Sequence, residues 1–105
     1  MQSQIKTAII TGASKGIGRA LALLLAKNNF QLSIVARSQG ELKDLAAEIT
    51  EIGHRPLYFV GDVSDEAFVQ QTIDKTAHTF QKIDFLINNA GTGTFGPTES
   101  FSGQS

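Results

Sequence analysis

Four short apolar runs, Thr7 to Thr11, Leu32 to Ala36, Leu57 to Val60 and Asp84 to Asn88, recur along the chain at intervals of 25 to 27 residues. None alternates with polar residues, so each reads as a strand covered on both faces, the pattern of a parallel sheet. The stretches between them carry helical spacing. Ile17, Ala20, Leu21, Leu24 and Leu25 form one apolar stripe, with Asn28 and Asn29 as a left-handed stop. Leu42, Leu45, Ala46, Ile49 and Ile52 form a second, closed by Gly53 and Pro56. Ser64 reads as the cap of a third helix, with Asp65 and Glu66 in its first turn and Val69, Ile73, Thr76, Ala77 and Phe80 along one side. Right-handed crossovers between these strands predict an α/β fold, half of a doubly wound parallel sheet, in the order 3-2-1-4. Ligands bind such sheets where the strand order reverses, here between the first and fourth strands.

Composition narrows the class. A chain of 105 residues supports one core and not two. Residues 1–91 hold all the periodic pattern and form the expected domain, whereas 92–105 are rich in Gly, Ser and Thr and read as a loop or tail. With no cysteine, disulfides, thiol nucleophiles and Cys-ligated zinc are excluded, and a reducing cytoplasm is the expected compartment. The formal net charge of -1, without a basic stripe, argues against nucleic acid as a partner. The longest apolar run, Ala20 to Ala26, is far shorter than the ~18 to 20 residues of a membrane span. His54 and His78 lack a second-ligand pattern and read as surface residues rather than a metal site.

The sharpest motif is Thr11-Gly12-Ala13-Ser14-Lys15-Gly16-Ile17-Gly18, where the first strand gives way to the first helix. A turn there aims unpaired backbone N–H groups and the positive helix end at one point, a ready site for a phosphate. Gly12 is expected to make the tight turn, Gly16 to admit the phosphates, and Gly18 to let the helix lie close to strand and ligand. The spacing departs from G-x-G-x-x-G and from the nucleotide-triphosphate loop, because three residues separate Gly12 from Gly16 and Lys15 precedes the second glycine.

T-G-x-x-x-G-x-G, followed by Asn88-Asn89-Ala90-Gly91 at the end of the fourth strand and by Asp62-Val63 after the third, resembles the short-chain dehydrogenase/reductase family from Lys6 to Gly91. The resemblance implies a Rossmann-like fold that binds a nicotinamide dinucleotide. It places Ser14, Lys15, Gly16 and Ile17 at the phosphates and Asp62 and Val63 at the adenine. Asn89, Ala90 and Gly91 would lie at the ribose near the nicotinamide. Asp62 also fits a simple turn residue, and the two asparagines also fit a tie between the first and fourth strands.

The second strand ends Ala36-Arg37-Ser38, with no Asp or Glu where an NAD-selecting fold places one. Arg37, Lys15 and the Ser38 hydroxyl suit a 2′-phosphate instead, so NADP is expected over NAD. The resemblance further implies a catalytic Ser and a Tyr-x-x-x-Lys, and neither is found in the chain, whose single tyrosine is Tyr58 within the third strand. Ser100, Ser102 and Ser105 read as loop residues. The expected function is therefore the NADP(H)-binding part of an oxidoreductase that passes hydride between nicotinamide and a carbonyl or alcohol, inactive alone. The alternative is a non-catalytic nucleotide-binding or interaction module. The fourth strand is expected to be an open edge beside a sheet face that shows Ile and Phe side chains. This predicts a homo-oligomer, or a missing C-terminal half that covers the edge.

Overall fold

The computed structural model describes residues 5–89. Seven elements follow in order: β1 (Lys6–Thr11), α1 (Gly16–Lys27), β2 (Phe30–Ala36), α2 (Gln39–Ile52), β3 (Leu57–Val60), α3 (Glu66–Phe80) and β4 (Phe85–Asn88). The strands form one sheet in the order β3-β2-β1-β4, and every pairing is parallel. This is the Rossmann-like half that the spacing of the apolar runs predicts. The expected tail 92–105, with Ala90 and Gly91, lies outside the described residues.

One face of the sheet is covered by α1 and α2. Ala8, Ile10, Leu32, Ile34 and Ala36 meet Ala22 and Ala26 of α1 and Leu42, Leu45, Ala46 and Ile49 of α2 in a continuous buried cluster. The α2 stripe packs as its periodicity predicts, except that Ile52 is exposed. The stripe expected for α1 is different. Its buried residues are Gly18, Ala22 and Ala26, an i, i+4, i+8 row of small side chains, while Ile17 is 78% and Leu24 56% exposed. Small residues let the helix lie close against the sheet, and the larger Leu21, Leu23 and Leu25 flank that row partly buried. Hydrophobicity alone ranks Leu above Ala, so periodicity picks the wrong row when closeness of approach decides the packing.

The other face carries α3. Its N-cap is Asp65, whose carboxylate accepts hydrogen bonds from the Ala67 and Phe68 N–H groups at 3.0 and 3.2 Å. Ser64 is not the cap: its own N–H donates to Asp62 Oδ1 at 2.9 Å, which places it one residue upstream in an Asx turn. The buried residues of α3 are Thr72 and Thr76. Each hydroxyl donates to the carbonyl one turn back, and Thr76 Oγ1 also lies 2.6 Å from the buried Ser33 Oγ. With its proton on the Thr72 carbonyl, Thr76 accepts from Ser33, so this polar seam between α3 and β2 is satisfied.

The expectation that this face would leave an isoleucine of β1 bare is corrected. Ile9 is 1% exposed. The large exposed side chain at the edge is Phe85, 47% exposed, and it stands on the α1 side, level with Ala8 and beside Phe30.

β4 is pinned to β1 at its start by Asp84. Its Oδ2 accepts from the Thr7 N–H at 2.8 Å and lies 3.3 Å from Lys82 Nζ. Partial burial works against the charge, but the Thr7 N–H and the Lys82 ammonium outweigh it and hold the carboxyl below the usual Asp range. A carboxyl depressed in the folded state contributes stability above its unfolded pKa of about 3.9, lost as pH falls through the folded value. Asp84→Asn is therefore expected to lower stability by about 1 kcal/mol near neutral pH. It should also flatten the loss of stability below about pH 4, as read from urea midpoints across an acid series.

Candidate functional site

The reversal point of the sheet, between the C-terminal ends of β1 and β4, is where the Gly-rich turn lies. Gly12 and Gly16 both sit at positive φ, 65° and 63°, a region that glycine enters without cost. The turn is tied to the neighbouring strand by the Ala13 N–H, which donates to the Val35 carbonyl at 3.1 Å. A Cβ on Gly16 would meet nothing within 4 Å, so the space over this residue is open. A Cβ on Gly18 would run into the Gly12 carbonyl and come within 2.6 Å of Asn89 Nδ2. The two glycines thus serve opposite ends, one keeping a space clear and the other allowing contact.

Asn88 and Asn89 complete the turn from β4. Thr11 Oγ1 donates to Asn88 Oδ1 at 3.0 Å and accepts from the Asn89 N–H at 2.9 Å. Asn89 Nδ2 donates to the Gly12 carbonyl at 3.1 Å. The asparagine pair is therefore the tie between the first and fourth strands that its sequence position allows, and Asn88 also lines the cleft.

That cleft has a volume of about 560 Å³. Of the residues singled out from the sequence, Gly12, Ser14, Lys15, Arg37, Ser38, Asp62 and Val63 line it, together with Val35, Ala36, Gly61 and Ser64. Gly16 and Ile17 follow at the start of α1, with the Ile17 side chain exposed. Ala90 and Gly91 lie outside the described residues. Sequence reasoning passed over Gly61, whose N–H donates to the Ala36 carbonyl at 3.0 Å and whose missing Cβ leaves room for the Phe68 ring. Its signal was available, as a glycine directly after a strand and before Asp62.

Electrostatically, the helix starts differ. α3 is capped by a side chain, but α1, beginning after Lys15, and α2, beginning after Ser38, have no side-chain cap, and both open on the cleft. First-turn N–H groups lack intrahelical acceptors, so both ends present partial positive charge. Lys15 and Arg37 add full charges beside them. On the opposite wall, the Ser64 N–H, then the Ser64 hydroxyl and, after a slight opposing desolvation, the Arg37 charge hold the Asp62 carboxyl below its ordinary range. Asp62 is therefore an acceptor at neutral pH. Among the described residues no cluster of three His, Cys, Asp or Glu could hold a metal ion. None of the described helices is long and apolar enough to cross a membrane.

A cleft of this shape, at the switch point of a parallel sheet, suits a dinucleotide. The family model described as short chain dehydrogenase matches residues 6–105. The chain belongs to the short chain dehydrogenase family. Among curated proteins it is 40% identical over 87 residues to an L-rhamnose 1-dehydrogenase (NAD(P)(+)) of Sphingomonas sp. (strain SKA58), covering 82% of this chain and 34% of that protein. Among solved structures, L-sorbose reductase from Gluconobacter frateurii, complexed with NADPH and L-sorbose, superposes with a TM-score of 0.78 at 38% identity. That match covers 85% of this chain and 34% of the reductase. An NAD+-bound xylitol dehydrogenase superposes equally well, with a TM-score of 0.78 at 37% identity, covering 90% of this chain and 36% of that one. The chain spans about a third of the length of these relatives. Solved structures of this shape thus include both an NADPH complex and an NAD+-bound one, so the fold by itself does not choose between the two cofactors.

Proposed function

We propose that this chain is the NADP(H)-binding half of a short chain dehydrogenase that passes hydride between nicotinamide and a carbonyl or alcohol. The observation that carries the reading is the convergence of two uncapped helix starts with Lys15 and Arg37 on one cleft, at a strand end that bears no carboxylate. The dinucleotide fits this donor set: the open space over Gly16 leaves room for its pyrophosphate at the uncapped start of α1, whose first-turn N–H groups lack intrahelical acceptors. When bound, the cofactor supplies the hydride or accepts it.

The chain's own residues bind and orient. Ser14, Lys15, Gly16 and Ile17 take the phosphates, while Gly12 and Gly18 shape the turn that presents them. Arg37, Ser38 and Lys15 take the 2′-phosphate, and the Ser38 hydroxyl is free to do so because it does not cap α2. Asp62 offers an acceptor to the adenine amino group and Val63 an apolar wall. Asn89, Ala90 and Gly91 take the ribose near the nicotinamide. Proton exchange with the substrate falls to groups beyond this half, since its single tyrosine, Tyr58, lies in β3.

The reading is tested by titrating the chain with NADPH, NADH and adenosine 2′,5′-bisphosphate while following its thermal midpoint. NADPH and the bisphosphate are expected to raise the midpoint more than NADH does, because ligand binding to the folded state adds stability in proportion to affinity. Equal shifts for NADPH and NADH would remove the 2′-phosphate assignment, and no shift with any of the three would remove the cleft.

A further inference from the structure

Carboxylates stand near the cations in and beside the cleft. Lys15 Nζ lies 4.0 Å from Glu41 Oε1, with side chains 78% and 49% exposed. Arg19 is paired with Glu48 across α1 and α2, so it is not available to a ligand. Arg37 and Asp62 share the cleft and feel one another's charge. Glu41 itself does not line the cleft. It stands over the Ser14 wall, in an adjoining depression that it shares with Arg19, Asp44 and Glu48.

Two of these carboxylates have further work. Asp62 accepts from the Ser64 N–H, and Glu48 holds the two helices together through Arg19. Glu41 is different: its contact is with Lys15, and it sits in the first turn of α2, where the helix end favours a negative charge. A 2′-phosphate entering between Lys15 and Arg37 must compete with Glu41 for the ammonium and then lie close to a like charge. A 2′-hydroxyl meets no such opposition.

We propose that Glu41 sets the strength of the preference for a phosphorylated ribose, acting as a counter-ion on Lys15 that the 2′-phosphate has to displace. The inference rests on the reading of the cleft as an NADP(H) site and adds a specificity-determining residue to it. Glu41 touches no part of the dinucleotide; it acts through Lys15.

Glu41→Gln keeps the shape of the side chain and removes the charge. Exposed pairs of this kind are weak, so the variant is expected to bind adenosine 2′,5′-bisphosphate and NADPH about fivefold more tightly. AMP and NADH, whose phosphates rest chiefly on the first-turn N–H groups of α1 and only in part on Lys15, should change by less than about twofold. The gain should shrink at high salt, where the Debye length falls to about 3 Å, and in a Lys15→Met background, where the counter-ion has nothing to hold. Glu41→Lys should extend the trend in the same direction, which guards against an unrelated effect of the glutamine. Unchanged or weakened bisphosphate binding in Glu41→Gln, with the unmodified chain still favouring NADPH over NADH, would overturn the role of Glu41 and leave the cleft's assignment standing. Failure of the unmodified chain to bind any of these nucleotides would overturn the assignment itself, and the role of Glu41 with it.

Discussion

Gly18→Val is expected to lower the stability of the chain by about 2 to 4 kcal/mol. The first carbon of the new side chain would be driven into the Gly12 carbonyl and the Asn89 amide. Neither neighbour can step aside. Gly12 is held at φ 65° in the turn, and Asn89 is fixed through both its backbone N–H and its side chain. Relief requires α1 to lift away from β1, which opens the cluster that Ala22 and Ala26 share with Ala8 and Ile10. Overpacking costs typically 1 to 3 kcal/mol, and the broken turn hydrogen bond adds about 1 kcal/mol more. Against the ~5 to 15 kcal/mol of a typical domain, the resulting loss of about 2 to 4 kcal/mol removes a large share of the margin that keeps the chain folded.

Gly16→Ala makes the informative contrast. At φ 63° it pays about 1 to 2 kcal/mol of backbone strain, but its Cβ meets open space, so the fold survives. Circular dichroism melts should show a small fall in midpoint for Gly16→Ala and a larger one for Gly18→Val, while nucleotide titration should show Gly16→Ala impaired in binding. A Gly18→Val protein that melts within a few degrees of the unmodified chain would mean that the close approach of α1 to the turn does not exist in solution.

The second large effect is expected at Arg37. A charge-assisted hydrogen bond contributes about 1.5 to 3 kcal/mol, and Arg37 is exposed, so the lower end of that range applies. One such bond corresponds to roughly tenfold in affinity. Arg37→Ala should weaken NADPH by about that factor while leaving NADH almost untouched, so the two cofactors converge. The fold should not suffer, because Arg37 follows the last residue of β2 and supports no packing contact in the buried cluster. Calorimetric titrations that show both cofactors weakened alike would instead assign Arg37 to the common part of the dinucleotide.

Much of this was legible in the sequence, for reasons particular to each element. Strands buried on two faces carry unbroken apolar runs, and β1 to β4 all begin within two residues of their sequence-predicted starts. α2 showed its inner face because Leu42, Leu45 and Ile49, three large apolar residues at helical spacing, are also the most buried residues of that helix. α1 hid its inner face because it packs through Gly18, Ala22 and Ala26, whose value lies in what they lack. Asp65 was displaced from its place as cap by Ser64, an equally good capping residue one position earlier, and only the Asx turn formed by Asp62 separates the two. At the site, Gly12, Lys15, Arg37 and Asp62 were visible because their chemistry is local to short motifs. Glu41 was not, because its meeting with Lys15 depends on how the start of α2 is laid beside the Gly-rich turn.

The tie between Asn89 and Gly12 joins residues 77 positions apart, and that distance is also an interval of synthesis. All the fully buried members of the main cluster lie between residues 8 and 49. A chain emerging from the ribosome therefore owns nearly its whole core before β4 exists. Throughout that interval the Gly12 carbonyl lacks its donor and Thr11 lacks both asparagines, so the Gly-rich turn is present in sequence but not yet braced. Of the described strands, the one made last completes the first turn. A nucleotide that favours the braced turn then favours the docking of β4, and hydrogen exchange should show ligand protecting the amides of residues 86–89 more than those of α2, although Ser38 at the start of α2 and Asn88 of β4 both line the cleft.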